Sequence, residues 1–501
     1  MSRILPFQPE FRPALPTVRG NVDYLRFEVE LKRIDELLRL GGVERLFVER
    51  SLALWLAASG DRVPTAKEQA KYERASEQAL RCTVLKQLLG AGFRGMSRRL
   101  AECPLFQWFC GAARMEEVRV PSKSQLERYF HWLPPKDMDD VLARLVRATR
   151  ERDEATGGNR LELAKDLALD VVWLDSTCVE ANIHFPVDWV LLRDVTRTLM
   201  KGTQLIRDHG LKSRMQEPGC FLRAMNRQCM AMALAGKQTD SKKARKRVLR
   251  AMKALTGIVG RHARRHRDLL DAHWQETDWT RRQAEQVLAR LDGVLQQLPQ
   301  AVKQAHERII GERQVKSADK ILSLYEPDVH VIVRGKAGAE VEFGNTLLIV
   351  EQAQGLVVDW HLYQEAAPCD SGQLPASLAR LEARLGAGAV TAVCGDRGFD
   401  SAKNRELLAE KDIFNALCPR GVQELKRRRH GARFGEMQRR RAQTEGRIGI
   451  LKNDFLGQPL RAKGYASRAL GVAWSVLAHN LWVVARLERV ASADTALQQA
   501  A

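Results

Sequence analysis

The 501-residue sequence contains no Cys-x-x-Cys pair, and its nine cysteines, an odd number, are scattered from Cys82 to Cys418. That excludes a zinc knuckle and a disulfide framework as organising devices. Thiols such as Cys394 in Ala-Val-Cys-Gly and Cys418 in Ala-Leu-Cys-Pro sit in apolar runs, as small hydrophobes do. Reduced cytosol is the compartment this usage fits. The opening Met-Ser-Arg-Ile-Leu-Pro-Phe lacks the apolar stretch of a secretory signal. The most apolar late stretch, 470–487, is interrupted by Ser475, His479, Asn480 and Arg486, so a buried helix is expected there and not a membrane span. Acidic charge is also in deficit: 61 Asp and Glu face 81 Lys and Arg, leaving a net charge of +20. Such a balance says little about fold but points to a polyanionic partner, most commonly nucleic acid. A ribosome-associated or simply basic cytosolic protein is the alternative at this level. A hydrophobic share of 45% is ordinary for a soluble globular chain, and the length exceeds one typical core, so two or three domains are expected.

Residues 1–22 carry several prolines and little periodicity, which predicts an extended arm. Over 24–40, Phe27, Leu31, Ile34, Leu37 and Leu38 recur at helical spacing and Gly41-Gly42 supplies a stop. Thr65-Ala-Lys-Glu68 reads as a capping box opening a helix that reaches about Leu89. Shorter helices are expected at 96–110 and 124–129, making 1–165 an all-helical DNA-binding or dimerisation domain. It could hold a helix-turn-helix with 97–99 or 123–128 facing phosphate. The texture changes at 167–175, a short apolar run read as a buried strand ending in Asp175. Residues 166–185 would begin an α/β domain, 186–320 return to helix, and 321–490 complete the α/β domain ahead of a tail at 491–501. Within the helical segment, 287–309 carries a heptad-like seam interrupted by Pro299, suggesting a helical hairpin or coiled coil. It is read as intramolecular packing ahead of a dimer seam. Strand signals resume at 328–333, 341–350 and 355–362. They are followed by helix 373–385, strand 389–395, helix 402–409, strand 413–417 and long helices near 436–455 and 468–490. That succession is the one expected of an RNase H-like mixed sheet flanked by helices, with a large helical insertion after its first strand.

The chemistry that this order permits depends on convergent carboxylates. Phosphodiester cleavage needs an activated oxygen nucleophile and neutralisation of charge on the phosphate, which two Mg²⁺ ions bound by carboxylate oxygens can supply. Asp175 closes the first strand and Asp396, in Gly395-Asp-Arg-Gly-Phe-Asp400, closes a later one. In a mainly parallel sheet such ends share the edge where ligands bind. Each alone could equally be a turn or cap residue. The third feature is a helix: at about 100° per residue, Gln438, Arg441, Glu445 and Lys452 fall within an arc of roughly 60°. One face then offers a carboxylate flanked by a forked guanidinium and a mobile ammonium; a solvated Arg–Glu pair is the plain alternative.

Leu174-Asp-Ser-Thr177, Gly395-Asp-Arg-Gly-Phe-Asp400 and Arg441-x-x-x-Glu445 with Lys452 resemble the DDE transposases of bacterial insertion sequences, and the last segment is similar to their Y-x2-R-x3-E-x6-K signature. Segments 178–188, 335–345, 478–482 and 105–111 share the resemblance, which covers roughly 65–490. Two departures stand out: Gln438 occupies the signature tyrosine position, and the large insertion precedes the second strand. The resemblance implies that Asp175, Asp396 and Glu445 bind two Mg²⁺, with Mn²⁺ substituting. It implies nicking at the element's ends followed by attack of the freed 3′-OH on target DNA. Arg441, Lys452, Gln438 and Arg397 would lie along the phosphate backbone. Implied partners are double-stranded DNA, both terminal inverted repeats and target, and a second copy of the chain forming a homodimer on DNA. The implied setting is the bacterial cytoplasm with its nucleoid, and no membrane.

Two basic segments are the further candidates for DNA contact. The first, 241–267, holds Lys242, Lys243, Arg245, Lys246, Arg247 and Arg250 without one acidic residue; the second is Lys426, Arg427, Arg428 and Arg429. A solvated helix face is the alternative for each. His262 and His266 share a helix face, but three local arginines would repel a zinc ion. Trp173 is expected in the core. Two other functions share these motifs: a DDE-type nuclease without strand transfer, and a domesticated non-catalytic DNA-binding protein.

Overall fold

In the computed structural model the structure describes residues 14–113, 117–236, 239–336, 339–457 and 459–490. The first thirteen residues of the expected arm and the tail 491–501 lie outside them. Helix α1 (Val22–Leu40) opens on Asn21, whose side chain accepts the Tyr24 N–H at 2.9 Å, and closes at Gly41. After α2 (Val43–Ala58), the expected capping box starts α3 (Ala66–Leu88): Thr65 Oγ1 accepts from Glu68 N–H and Glu68 Oε2 accepts from Thr65 N–H, satisfying two otherwise orphaned donors. Helices α4 (Phe93–Glu102), α5 (Pro104–Phe109), α6 (Lys123–Phe130) and α7 (Pro135–Ala148) complete this run. Strand β1 (Val171–Glu180) follows.

The chain divides into two compact units, Met1–Glu180 with Asn345–Ala501, and Ala181–Gly344. The second unit is built on α8 (Asp188–Asp208), α9 (Pro218–Ala235), α10 (Ser241–His273) and α11 (Arg281–Ala305). The heptad-like positions Leu291, Val294 and Leu298 are buried in a core shared with Val195, Leu199, Val259 and Ala263 of α8 and α10, so the seam is covered within the chain. Pro299 does not interrupt it; α11 runs through to Ala305. Strand β2 (His330–Lys336) forms an antiparallel hairpin with the first residues of β3 (Ala339–Gln352).

In the first unit β3 pairs antiparallel with β4 (Val357–Leu362). Helix α12 (Asp370–Leu385), β5 (Ala392–Gly395), α13 (Ala402–Glu410) and β6 (Phe414–Leu417) follow. The chain then forms α14 (Val422–Arg429), α15 (Ala432–Ile450) with a π-helical turn at Leu451–Leu456, and α16 (Tyr465–Ala485). The sheet order is β3-β1-β5-β6, with β1, β5 and β6 parallel and β4 on β3. A mixed sheet in this order is compatible with an RNase H-like fold.

The division differs from the expected boundary at 165. Apolar side chains of α1, α3 and α7 (Ile34, Leu80, Leu85 and Leu145 among them) lie in one core with Val172 and Leu174 of β1 and with Trp474 and Leu477 of α16. Trp474 Nε1–H donates to Phe130 O at 2.9 Å and Gln87 donates to Ser475 Oγ at 2.7 Å, so polar ties reinforce the shared core. The apolar stretch 470–487 is indeed a buried helix, and no helix among the described residues is long and apolar enough to cross a membrane. Within it Asn480 caps β4, exchanging two hydrogen bonds with the Val357 backbone at 2.9 and 2.8 Å.

Candidate active site and basic groove

Asp175 lies in the middle of β1 and not at its end, because 176–180 continue as strand beyond the point where β5 stops. Asp175 and Asp396 stay side by side all the same. Trp173 is registered opposite Cys394, and the same register carried on two residues sets Asp175 level with Asp396. Adjacent strands lie about 4.8 Å apart. Alternation puts Trp173 and Asp175 on one face of β1, and Cys394 and Asp396 on the matching face beyond β5.

That face is covered by α15. Trp173 Nε1–H donates to Met437 O at 3.0 Å, and the Gln438 amide donates to Ala416 O at 2.6 Å and Gly395 O at 3.3 Å. Gln438, expected on DNA, therefore has its N–H donors committed to β5 and β6; it anchors the helix to the sheet. Arg440 stacks on Trp173, its guanidinium carbon 4.5 Å from the ring centroid, and donates to Gln352 O and Ala353 O at 3.0 and 2.9 Å. It also pairs with the buried carboxylate of Glu351, which accepts from Thr444 Oγ1 at 2.8 Å. Arg447 packs over the β3–β4 turn at Gly355, where φ is +96° and a Cβ would come within 2.8 Å of the guanidinium; only glycine meets both demands. With its base so fixed, α15 delivers Glu445 two turns, about 10 Å, beyond Gln438.

The electrostatics register this convergence. The Asp175 carboxyl is pushed up to about 6, first by burial and then by the negative charge of Asp396, with Glu445 acting in the same direction; the Ser176 N–H and Arg441 oppose it. Asp175 Oδ1 accepts the Ser176 N–H at 2.7 Å and Asp396 Oδ1 accepts the Gly398 N–H at 2.8 Å. Glu445 is exposed and ion-paired to Arg441 at 3.1 Å. Among the described residues no three or more His, Cys, Asp or Glu are drawn close enough to enclose a metal ion. The donor set nevertheless suits a hard divalent cation, because it is all carboxylate oxygen. Lys452 lies past the end of α15 in the π-helical turn, so the α-helical arc used to position it does not extend to it.

Beside Asp396 opens a groove of about 710 Å³ whose lining includes Arg397, Arg429, Arg439, Arg441 and Gln438. Arg441 Nε is buried there without an acceptor. Of the 426–429 run, Lys426, Arg427 and Arg429 are exposed; Arg427 and Arg428 both bind Glu424 at 2.8 Å and hold its carboxyl down at about 2. In the second unit, Lys242 and Lys246 pair with Glu312 at 3.1 and 2.6 Å, while Lys243, Arg245, Arg247 and Arg250 stand exposed on α10. His266 is buried with both ring nitrogens engaged, Nδ1 with His262 O at 2.8 Å and Nε2 with the Ser213 N–H at 3.3 Å.

Sequence reasoning missed Asp370, the first residue of α12, whose Oδ1 accepts from Ser176 Oγ at 2.8 Å. It also missed the buried Glu351 clamp. Neither carries a local signal: one reads as an acid in a helix's first turn, the other as a polar strand end.

Residues 335–481 match a family model described as a transposase DDE domain. The matched span holds Asp396 and Glu445, and Asp175 precedes it. The match supports a transposase of the DDE kind. Comparison with curated proteins and comparison with solved structures each gave no match.

Proposed function

We propose that the protein is a DNA transposase of an insertion sequence, which binds the element's terminal inverted repeats, hydrolyses phosphodiester bonds at its ends and transfers the 3′-OH to target DNA. The observation that carries this reading is the level pairing of Asp175 with Asp396 beneath a helix that brings Glu445, next to an arginine-lined groove. Asp175, Asp396 and Glu445 would hold two divalent cations, Mg²⁺ or Mn²⁺, which when bound supply an activated oxygen nucleophile and charge neutralisation at the phosphate. The chain's own residues do the rest. Arg397, Arg429, Arg439 and Arg441 grip backbone phosphates along the groove, with Arg441 able to turn its fork from Glu445 to a phosphate. Lys452 and Lys426 add point charges. A homodimer on DNA follows from the need to join two ends, and the workplace is the bacterial cytoplasm with its nucleoid.

The test is to incubate the protein with Mg²⁺ and DNA bearing its gene's own flanking ends, then to map the cuts and look for joined products. Cuts at the repeat boundary with joining are expected. Cutting without joining from a pre-nicked end would assign a nuclease instead, and metal-independent binding without cuts would assign a non-catalytic DNA-binding protein.

On α10, Lys243, Arg247 and Arg250 share one face at i, i+4, i+7 and stand clear of the Glu312 pair. Replacing all three by Gln should flatten the dependence of log affinity on log salt by about 2 to 3, at roughly 0.9 per phosphate contact. The measurement is end binding from 50 to 200 mM salt. An unchanged slope would remove this face from the DNA track.

A further inference from the structure

Asp370 touches the residue that follows Asp175 and lies against the loop that follows Asp396. Its Oδ1 accepts the Ser176 hydroxyl at 2.8 Å, and Ser176 in turn gives its N–H to Asp175 at 2.7 Å. On the other side its carboxylate fills the space where a Cβ on Gly398 would stand: Asp370 Cβ would be 3.1 Å away and Asp396 Oδ1 3.0 Å, with Asp370 Oδ2 closer still. Gly398 is the residue whose N–H holds Asp396, at 2.8 Å. Gln373, itself buried, donates to Asp370 Oδ1 at 3.2 Å and to Pro368 O at 3.1 Å, which fixes the carboxylate from within its own helix.

We propose that Asp370 is a positioning residue that sets Asp175 and Asp396 at one height, acting through Ser176 on one side and Gly398 on the other. The proposal rests on the reading that these two aspartates hold divalent cations. An acid in the first turn of a helix is common because it suits the helix dipole. That alone requires neither a hydroxyl from the neighbouring strand nor a glycine cut away to admit the carboxylate. The two links together do, since each touches the residue whose backbone N–H orients one metal-binding aspartate. The glycine of Gly395-Asp-Arg-Gly-Phe-Asp400 thereby has a steric reason: alanine at 398 would collide with Asp370 and push either it or Asp396 aside. Groups that orient metal ligands from behind typically change metal affinity by about 10–100-fold when removed.

The experiment is Mn²⁺ titration calorimetry on the full-length protein without DNA, for wild type, Asp370→Ala, Asp370→Asn, Ser176→Ala and the Ser176→Ala/Asp370→Ala double variant. Thermal unfolding of each metal-free protein serves as the folding control. Asp370→Ala and Ser176→Ala should each weaken Mn²⁺ by about tenfold or more, and the double variant no further than the worse single, because they break one linkage. Asp370→Asn keeps an oxygen for the Ser176 hydroxyl and should recover most of the affinity. Asp370→Ala binding Mn²⁺ like wild type overturns the proposal. Asp370→Asn failing as badly as Ala, or fully additive losses in the double variant, overturns it equally, since the charge would then act directly and not through Ser176. A wild-type protein that binds no Mn²⁺ sinks the underlying metal reading together with it. Should Asp370→Ala not fold, Gly398→Ala reaches the same linkage from its other end and must weaken Mn²⁺ for the proposal to stand.

Discussion

Asp175→Asn is expected to abolish end cutting, leave end binding intact, and make the metal-free protein more stable at pH 7.5. The loss of cutting should exceed the roughly 10–100-fold typical of outer-shell changes around a metal. The gain in stability follows from sign. Asp175 titrates at about 6 in the folded chain against 3.8 ordinarily, first through burial and then through Asp396. A carboxyl raised in this way contributes stability that is fully present below about pH 4 and is lost as pH rises through about 6. Above pH 6 the ionised group therefore costs about 1–3 kcal/mol, a cost the neutral amide does not carry. Thermal unfolding of both proteins at pH 5 and pH 7.5 tests it: the advantage of the variant should appear at the higher pH and shrink at the lower. Mg²⁺ should stabilise the wild type and not the variant, because only a native state with its carboxylates intact gains from the bound ion. Equal stabilities at pH 7.5, or a variant that cuts normally, would be incompatible with this account. Asp396→Asn and Glu445→Gln should match it in cutting.

Glu351→Ala is expected to be the most disruptive single change away from the acids. Glu351 is 2% exposed, binds Arg440 and Thr444, and has Arg447 at 3.6 Å. Removing it leaves two arginines near the interior without their counter-charge, and breaking one partner of a buried pair costs about 3–5 kcal/mol. The loss is also directional, since Arg440 holds α15 to Trp173 and to the β3–β4 turn. Cutting should fall with stability, whereas Glu351→Gln, which retains an acceptor for Thr444, should lose less of both. An unfolding free energy from denaturant titration lowered by less than about 1 kcal/mol would show that α15 is held by its apolar face instead.

The alternation of strand and helix after residue 320 was legible because each element there has its own local pattern. Asp396 stands where an apolar run meets Arg-Gly, and 438–452 shows its helical phase directly. What could not be read depends on partners distant in sequence. Asp175 is expected to close the first strand, yet β1 runs on to Glu180, with β3 as its second neighbour. Gln438 sits on the arc facing phosphate, but the carbonyls of Gly395 and Ala416 claim its amide. Arg427 and Arg428 form a basic run in the sequence, while Glu424, one turn away, pairs with both and offsets one of their two charges. The N-terminal helices looked like a separate domain because their own periodicity is complete; that Leu145 and Val172 share a core is a fact of tertiary contact alone.

The insertion of residues 181–344 between β1 and its parallel neighbour β5 bears on how the molecule is made. Asp170 and Thr391, hydrogen-bonded at the edge where β1 meets β5, are 221 positions apart in the chain. A ribosome must therefore extrude the whole intervening unit, which is contiguous and rich in local helical contacts, before the first strand meets its parallel neighbour. Non-local pairing of that kind is slow, and the waiting strand is exposed to misassociation meanwhile. Any nascent or truncated chain ending before Glu445 lacks the third acid altogether, so the acidic centre exists only once synthesis is nearly finished.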